Sequence, residues 1–249
     1  MNNAVTEIGL LVPAMIDQLA PDCARRAVAM LQGLGYRVVY PPSHTTTGRE
    51  LYHQGDRESA KQLGAALIEE FDECSHIVSL SSAEVVYIQQ HFNRLFHNTT
   101  MHNSYRRFVE RCYEFSDFLV NVAGYKATGT TFLHRVALMD HCTSLRGYQS
   151  PATGIAAGLH DQPRTLLRSV EGLELVEMGE PEVCCGFGGL FASQFTPISD
   201  SLAQRKIDNA INAGAEYLTS TEPSCLIHLQ SYIAKHDTPL RTILLPELF

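Results

Sequence analysis

The stretch Tyr217-Leu218-Thr219-Ser220-Thr221-Glu222-Pro223-Ser224-Cys225-Leu226-Ile227-His228-Leu229-Gln230 decides the fold. Tyr217 to Ser220 reads as a short strand, and from Cys225 to Ile233 the apolar positions follow helical spacing. A strand that runs directly into a helix is the repeating unit of α/β architecture. An earlier stretch, Ser79-Leu80-Ser81-Ser82-Ala83-Glu84-Val85-Val86-Tyr87-Ile88-Gln89, can be laid on Ser220 to Gln230. Apolar positions, opening serine and closing glutamine all coincide. Thr46-Thr47-Gly48 likewise lies on Cys184-Cys185-Gly186. Self-similarity of this kind marks an internal repeat.

Working outward, strands are expected at Glu7–Val12, Tyr36–Tyr40, His76–Leu80, Arg135–Met139, Leu173–Met178, Tyr217–Ser220 and Arg241–Leu245. Helices are expected at Asp22–Leu34, Arg57–Phe71, Val85–Phe96, Ser104–Val122, within Thr165–Val170, and at Ser199–Ala213 and Cys225–Ile233. Strands alternating with helices imply parallel pairing. The predicted fold is α/β, with two pseudo-equivalent halves, each a small mainly parallel sheet flanked by helices. Gly124 to Thr130, rich in glycine and threonine, is the best linker, giving halves 1–130 and 131–249.

The 249 residues are 45% hydrophobic and 18% charged, which excludes a disordered chain. A net charge of −8 gives no global attraction to nucleic acid or anionic membrane. No apolar run approaches the ~20 residues of a membrane span. Met1 to Glu7 has neither a basic region nor a signal-peptide core, so a cytoplasmic location is expected. Seven cysteines without a secretion signal argue against a disulfide framework. Cys23, Cys74 and Cys112 read as small buried hydrophobes.

The other four cysteines stand at turn-like places. Cys142 follows one predicted strand, and Cys225 opens the helix after another. Cys184 and Cys185 sit in Val183-Cys184-Cys185-Gly186-Phe187-Gly188-Gly189. In a parallel sheet these junctions share the carboxyl edge, so four thiols from three loops are expected to converge. Thiolates are soft ligands for iron–sulfur clusters or zinc. Adjacent cysteines suit a polynuclear centre better than a single ion, because neighbouring side chains of an extended chain point apart. The glycines remove side-chain bulk, so backbone N–H groups can approach sulfur. Thiol–disulfide exchange at Cys184-Cys185 ranks last, since a vicinal disulfide is strained.

A cysteine, then Cys-Cys-Gly, then a final cysteine resembles the cysteine-rich CCG-domain family. That domain occurs in heterodisulfide reductases, in the membrane anchor of glycerol-3-phosphate dehydrogenase and in lactate-utilization proteins. Asp140 to Gly147, Gln162-Pro163-Arg164, Cys184 to Gly189 and Glu222 to His228 are most similar to the lactate-utilization branch. The resemblance implies an iron–sulfur electron-transfer subunit rather than a self-sufficient enzyme. It would work with other redox subunits in oxidising L-lactate, or a related 2-hydroxy acid, to pyruvate. Cys142, Cys184, Cys185 and Cys225 would then hold one [4Fe–4S] cluster. A scaffold or interaction paralogue of the same fold, with zinc on its cysteines or no metal, is the alternative.

The family usually has a cysteine set in each half. Here Ala14, Thr46, Thr47 and Glu84 stand where the repeat would place the first set, so that site reads as degenerate. His44, Thr45, Thr46, Thr47, Arg49 and Glu84 are expected to gather there, more simply as solvated loop residues than as a site for a carboxylate substrate or a hard metal. His141 and His228 are expected to hydrogen-bond locally, though either could approach a cluster. Arg146 and Arg164 could offset cluster charge or simply face solvent. His76, His91, His97 and His102 have no regular ligand spacing. Arg106, Arg107 and Arg111, with Glu110 and Glu114, read as an exposed salt-bridged helix face.

Overall fold

A computed structural model describes residues 6–41, 46–147 and 158–249, and for 146, 147 and 158–160 the backbone alone. The chain divides into two compact units, Met1–Phe118 and Leu119–Phe249. In the first, the elements are β1 (Glu7–Leu11), α1 (Ala14–Leu19), α2 (Pro21–Gly33), β2 (Arg37–Val39), α3 (Arg49–His53), α4 (Arg57–Glu70), β3 (His76–Ser79), α5 (Ser82–Phe96), α6 (His102–Glu110), β4 (Cys112–Glu114) and α7 (Phe115–Asp117). Its sheet has the order β2-β1-β3-β4, with all pairs parallel.

Local chemistry explains these elements. Pro21 opens α2, where a missing N–H costs nothing, and Cys23, Ala27 and Leu31 form its buried face. Asp56 caps α4 by accepting from the Ser59 N–H at 3.0 Å, and Ser81 caps α5 by accepting from the Glu84 N–H at 3.3 Å. The core gathers Leu67, Phe71, Ile77, Val85, Phe92 and Phe96.

One expected helix is wrong. Ser104–Val122 is not continuous: α6 ends at Glu110 and Cys112–Glu114 is a strand beside β3, with Ser79 opposite Glu114. Apolar residues at helical spacing are outweighed here by pairing with the open edge of β3, which satisfies backbone groups that a buried segment cannot leave bare. Glu114 is therefore buried at 1% exposure, not part of an exposed charged face. Arg106 and Glu110 do make the expected exposed pair, at 3.9 Å.

The second unit contains β5 (Arg135–Met139), α8 (Cys142–Gly147), α9 (Gly158–Arg168), β6 (Glu174–Val176), α10 (Leu190–Gln194), α11 (Thr196–Asn212), β7 (Tyr217–Ser220), α12 (Pro223–His236) and β8 (Arg241–Thr242). Its sheet order is β6-β5-β7-β8, again all parallel. The last strand is shorter than expected, because the chain turns into a 3₁₀ segment, Leu245–Leu248, around Pro246. Position for position, the two sheets have one topology, so the expected α/β fold with two pseudo-equivalent halves is observed. Among the described residues no helix is long and apolar enough to cross a membrane.

Candidate metal centre

The central strands of the second sheet end at Met139 and Ser220, which are paired. Cys142 is the first residue of α8, three positions beyond Met139, and Cys225 lies in the first turn of α12. Cys184 and Cys185 lie in the loop between β6 and α10. All four thiols are free, with Cys185 and Cys225 buried and the other two half-buried. They touch in a row: Cys142 hydrogen-bonds to Cys184, Cys184 to Cys185, and Cys185 to Cys225. Among the described residues, no three His, Cys, Asp or Glu side chains are gathered around a single-ion position.

The row divides into donors and acceptors. The hydrogen bond that Cys142 gives Cys184, reinforced by burial, raises the Cys142 pKa. Cys185 is raised in the same way by its bonds to Cys184 and Cys225. Cys184 is pulled down as the acceptor from Cys142 and Cys185. Cys225 falls to about 7 through its bond with Cys185, against burial and with help from His141. Two sulfurs are thus drawn toward thiolate by two that keep their protons, which is a donor set ready to exchange protons for metal.

The Cys-Cys-Gly loop has a steric reason for its glycine. Gly186 has φ of +88°, and a Cβ there would lie 2.5 Å from the Ser199 carbonyl oxygen. The turn places the Gly186 N–H 3.4 Å from the Cys184 sulfur, and the Phe187 N–H donates to the Cys185 sulfur. Backbone donors therefore do reach the cysteine sulfurs. Ser199 donates to the Gly186 carbonyl at 2.8 Å and meets His228 Nε2 at 3.3 Å. Helix α11 also fastens the preceding loop: Lys206 Nζ donates to the Pro181 carbonyl at 3.0 Å and Asn209 Nδ2 to the Glu180 carbonyl at 2.8 Å.

His141 is buried beside the row, with Nε2 3.9 Å from the Cys142 sulfur and a hydrogen bond to Cys225. Arg164 is buried rather than solvated, and its charge is already engaged by Asp140, in a bidentate pair at 2.9 and 2.8 Å, and by Glu177 at 3.2 Å. The Arg146 side chain, His44 and Thr45 lie outside the described residues. Lys206 and Glu222 were not anticipated. Lys206 is 0% exposed, and its place with Ala203, Ile207 and Ala210 on the buried face of α11 was the available signal. Glu222, 1% exposed, caps α12 by accepting from the Ser224 N–H at 3.4 Å, and the same oxygen accepts from Ser224 Oγ.

In the first unit, register places Leu11 opposite Ser79 as Met139 lies opposite Ser220. Ala14 consequently opens α1 where Cys142 opens α8. Thr47 donates to Glu84, and Arg49 Nε donates to the same carboxylate at 2.8 Å. Thr47 and Glu84 are buried, so the expectation of solvated loop residues fails for both. Ala14 is exposed and Thr46 half-buried, its Oγ accepting from the Gly48 N–H at 3.4 Å.

Residues 136–230 match the family described as CCG, cysteine-rich domain. The chain is similar to lactate utilization protein A of Halalkalibacterium halodurans, 28% identical over 242 residues, covering 97% of this chain and 96% of the relative. It is also similar to lactate utilization protein A of Geobacillus kaustophilus, 27% identical over 243 residues, covering 97% and 98%. A solved structure of a hypothetical protein from Helicobacter pylori shares the fold, with a TM-score of 0.64 at 8% identity. The match takes in 98% of this chain and 48% of that structure's length. The span 136–230 that matches the cysteine-rich CCG domain contains all four thiols of the row, and over nearly its whole length the chain is similar to lactate utilization protein A.

Proposed function

We propose that this protein is an iron–sulfur electron-transfer subunit that holds one [4Fe–4S] cluster on Cys142, Cys184, Cys185 and Cys225. It works with partner redox subunits in the cytoplasm, in the oxidation of L-lactate or a related 2-hydroxy acid to pyruvate. The carrying observation is the row of four touching sulfurs at one sheet edge. The donor set fits such a group. It offers four soft ligands, two of them biased toward thiolate, and backbone N–H groups directed at two of the sulfurs. A row with no single-ion focus suits a body of several irons better than one zinc.

When bound, the cluster supplies one-electron transfer. The chain's own groups do the rest. The Gly186 and Phe187 N–H groups hold negative sulfur, and the buried Cys185 and Cys225 limit water access. The half-buried Cys142 and Cys184 form the side of the row nearest solvent. We assign residues 1–130 to a half with a degenerate site at Ala14, Thr46, Thr47 and Glu84, and residues 131–249 to the half that works. The lactate assignment draws on the relatives.

Protein purified without air should be brown, with iron and acid-labile sulfide of about four each per chain. Colourless protein with stoichiometric zinc would overturn this reading in favour of a scaffold paralogue. Anaerobic affinity purification from native extract should bring down flavin- or ferredoxin-type subunits; their absence from extract grown on L-lactate would remove the pathway assignment.

A further inference from the structure

Lys206 is fully buried in the second unit, among Ala203, Ile207 and Ala210 on α11. An ammonium taken out of water costs several kcal/mol unless charge and hydrogen bonds compensate. Lys206 Nζ donates to a neutral partner, the Pro181 carbonyl, at 3.0 Å. That contact leaves the charge itself uncompensated. The loop it fastens is also held by Asn209, which bonds both the carbonyl and the N–H of Glu180, and by the Arg205–Glu180 pair at 2.6 Å. A lysine is therefore not needed merely to hold the loop.

The anions within electrostatic range explain the charge. Burial pushes the Lys206 ammonium toward neutrality, while Cys185, Asp140, Cys184 and Cys225 act to keep it charged. Asp140 is taken on both oxygens by Arg164. Glu180, which also interacts with Lys206, is solvent-exposed and paired with Arg205, so the sulfur row is the buried anion left for Lys206 to balance. Pro181 lies only three residues before Cys184, so the same side chain links the position of the loop to the charge of its thiols.

We infer that Lys206 is a positioning residue for the metal centre, a buried counter-charge that stabilises the sulfur set in its more negative state and thereby raises the centre's reduction potential. The inference rests on the cluster reading above for its redox consequence, while the counter-charge itself applies to any metal held by these thiolates. Reduction adds negative charge to the centre, and a fixed cation nearby favours the reduced form.

The test is potentiometric titration of anaerobic whole protein carrying Lys206→Met, which is unbranched, one atom shorter and suited to its apolar neighbours. Iron per chain should stay near the wild-type value while the midpoint shifts negative. A tenfold change in the one-electron equilibrium reads as about 59 mV. Lys206→Arg, which keeps the charge, should recover most of the shift. An unchanged midpoint in an iron-replete Lys206→Met protein would overturn the inference. If that variant does not retain a cluster, or if the wild type carries zinc, chelator competition on the metal form decides. Lys206→Arg should release metal as slowly as wild type and Lys206→Met about tenfold faster, and equal release would overturn the counter-charge. Zinc in the wild type would separately defeat the cluster reading.

Discussion

At the carboxyl edge of the first sheet, Glu84 accepts from Thr47 and pairs with Arg49; at the matching edge of the second, Cys225 hydrogen-bonds to Cys185. The scaffolding around these contacts is shared. Ser79 Oγ accepts from the N–H two residues on at 3.1 Å, and Ser220 Oγ does the same at 3.1 Å. Gly48 and Gly186 have φ of +86° and +88°, and a Cβ at either would strike a carbonyl of the following long helix, at 2.8 and 2.5 Å. Backbone requirements thus persist in both units while the side chains at the edge differ. In one unit a hydrogen-bonded ion pair fills the place, and in the other a row of thiols.

The largest test of that contrast is to remove one sulfur. Cys184→Ser or Cys225→Ser should take iron from about four per chain to near zero, read by iron analysis and visible absorbance. Retained iron in either variant would remove that residue as a ligand.

Next come the two glycines. Gly186→Ala and Gly48→Ala should each cost about 2–4 kcal/mol, from the left-handed backbone and the clash together, measured by denaturant unfolding. Only Gly186→Ala should also lower iron content. An equal loss of iron from both would break the assignment of metal to one unit.

A third test reverses the pattern. Glu84→Gln leaves Arg49 without its carboxylate and should cost about 2 kcal/mol, less than the ~3–5 of a wholly buried pair because Arg49 stays partly exposed. Iron content should not change. A bleached Glu84→Gln protein would mean that the first unit contributes to the metal centre.

The last test concerns pH. Burial raises Glu114 to about 8 from an ordinary carboxyl value of 4.5, against the bonds it accepts from Ser116 and Asp117. The folded first unit therefore binds a proton that the unfolded chain has already lost. Stability should fall as pH rises from about 5 to 8, by at most ~1.4 kcal/mol per unit. Glu114→Gln should flatten that slope in denaturant unfolding, and an unchanged slope would locate it elsewhere.

Much of this was legible in the sequence because it depends on period and punctuation. Buried runs such as Arg135–Met139 declare strands, and Gly35, at φ of +90°, marks the end of α2. The cysteine loops were readable because adjacent cysteines before Gly-x-Gly-Gly do not suit a core. The break at Arg111 was not readable, because Cys112 and Phe115 satisfy a helical period as well as a buried strand. The open edge of β3, distant in sequence, decided between them. Arg164 was equally ambiguous as a symbol in a sequence, until Asp140 and Glu177 closed around it.

The sequence by itself determined the α/β alternation, the internal repeat and the identity of four sulfurs, since each is written in local spacing and residue type. Only the tertiary structure decided that those sulfurs touch in a row, that Thr47 meets Glu84 in the other unit, and that Lys206 lies fully buried. Such contacts join residues far apart along the chain. Their energies depend on burial and on which charges become neighbours, quantities that exist only once the sheets have formed.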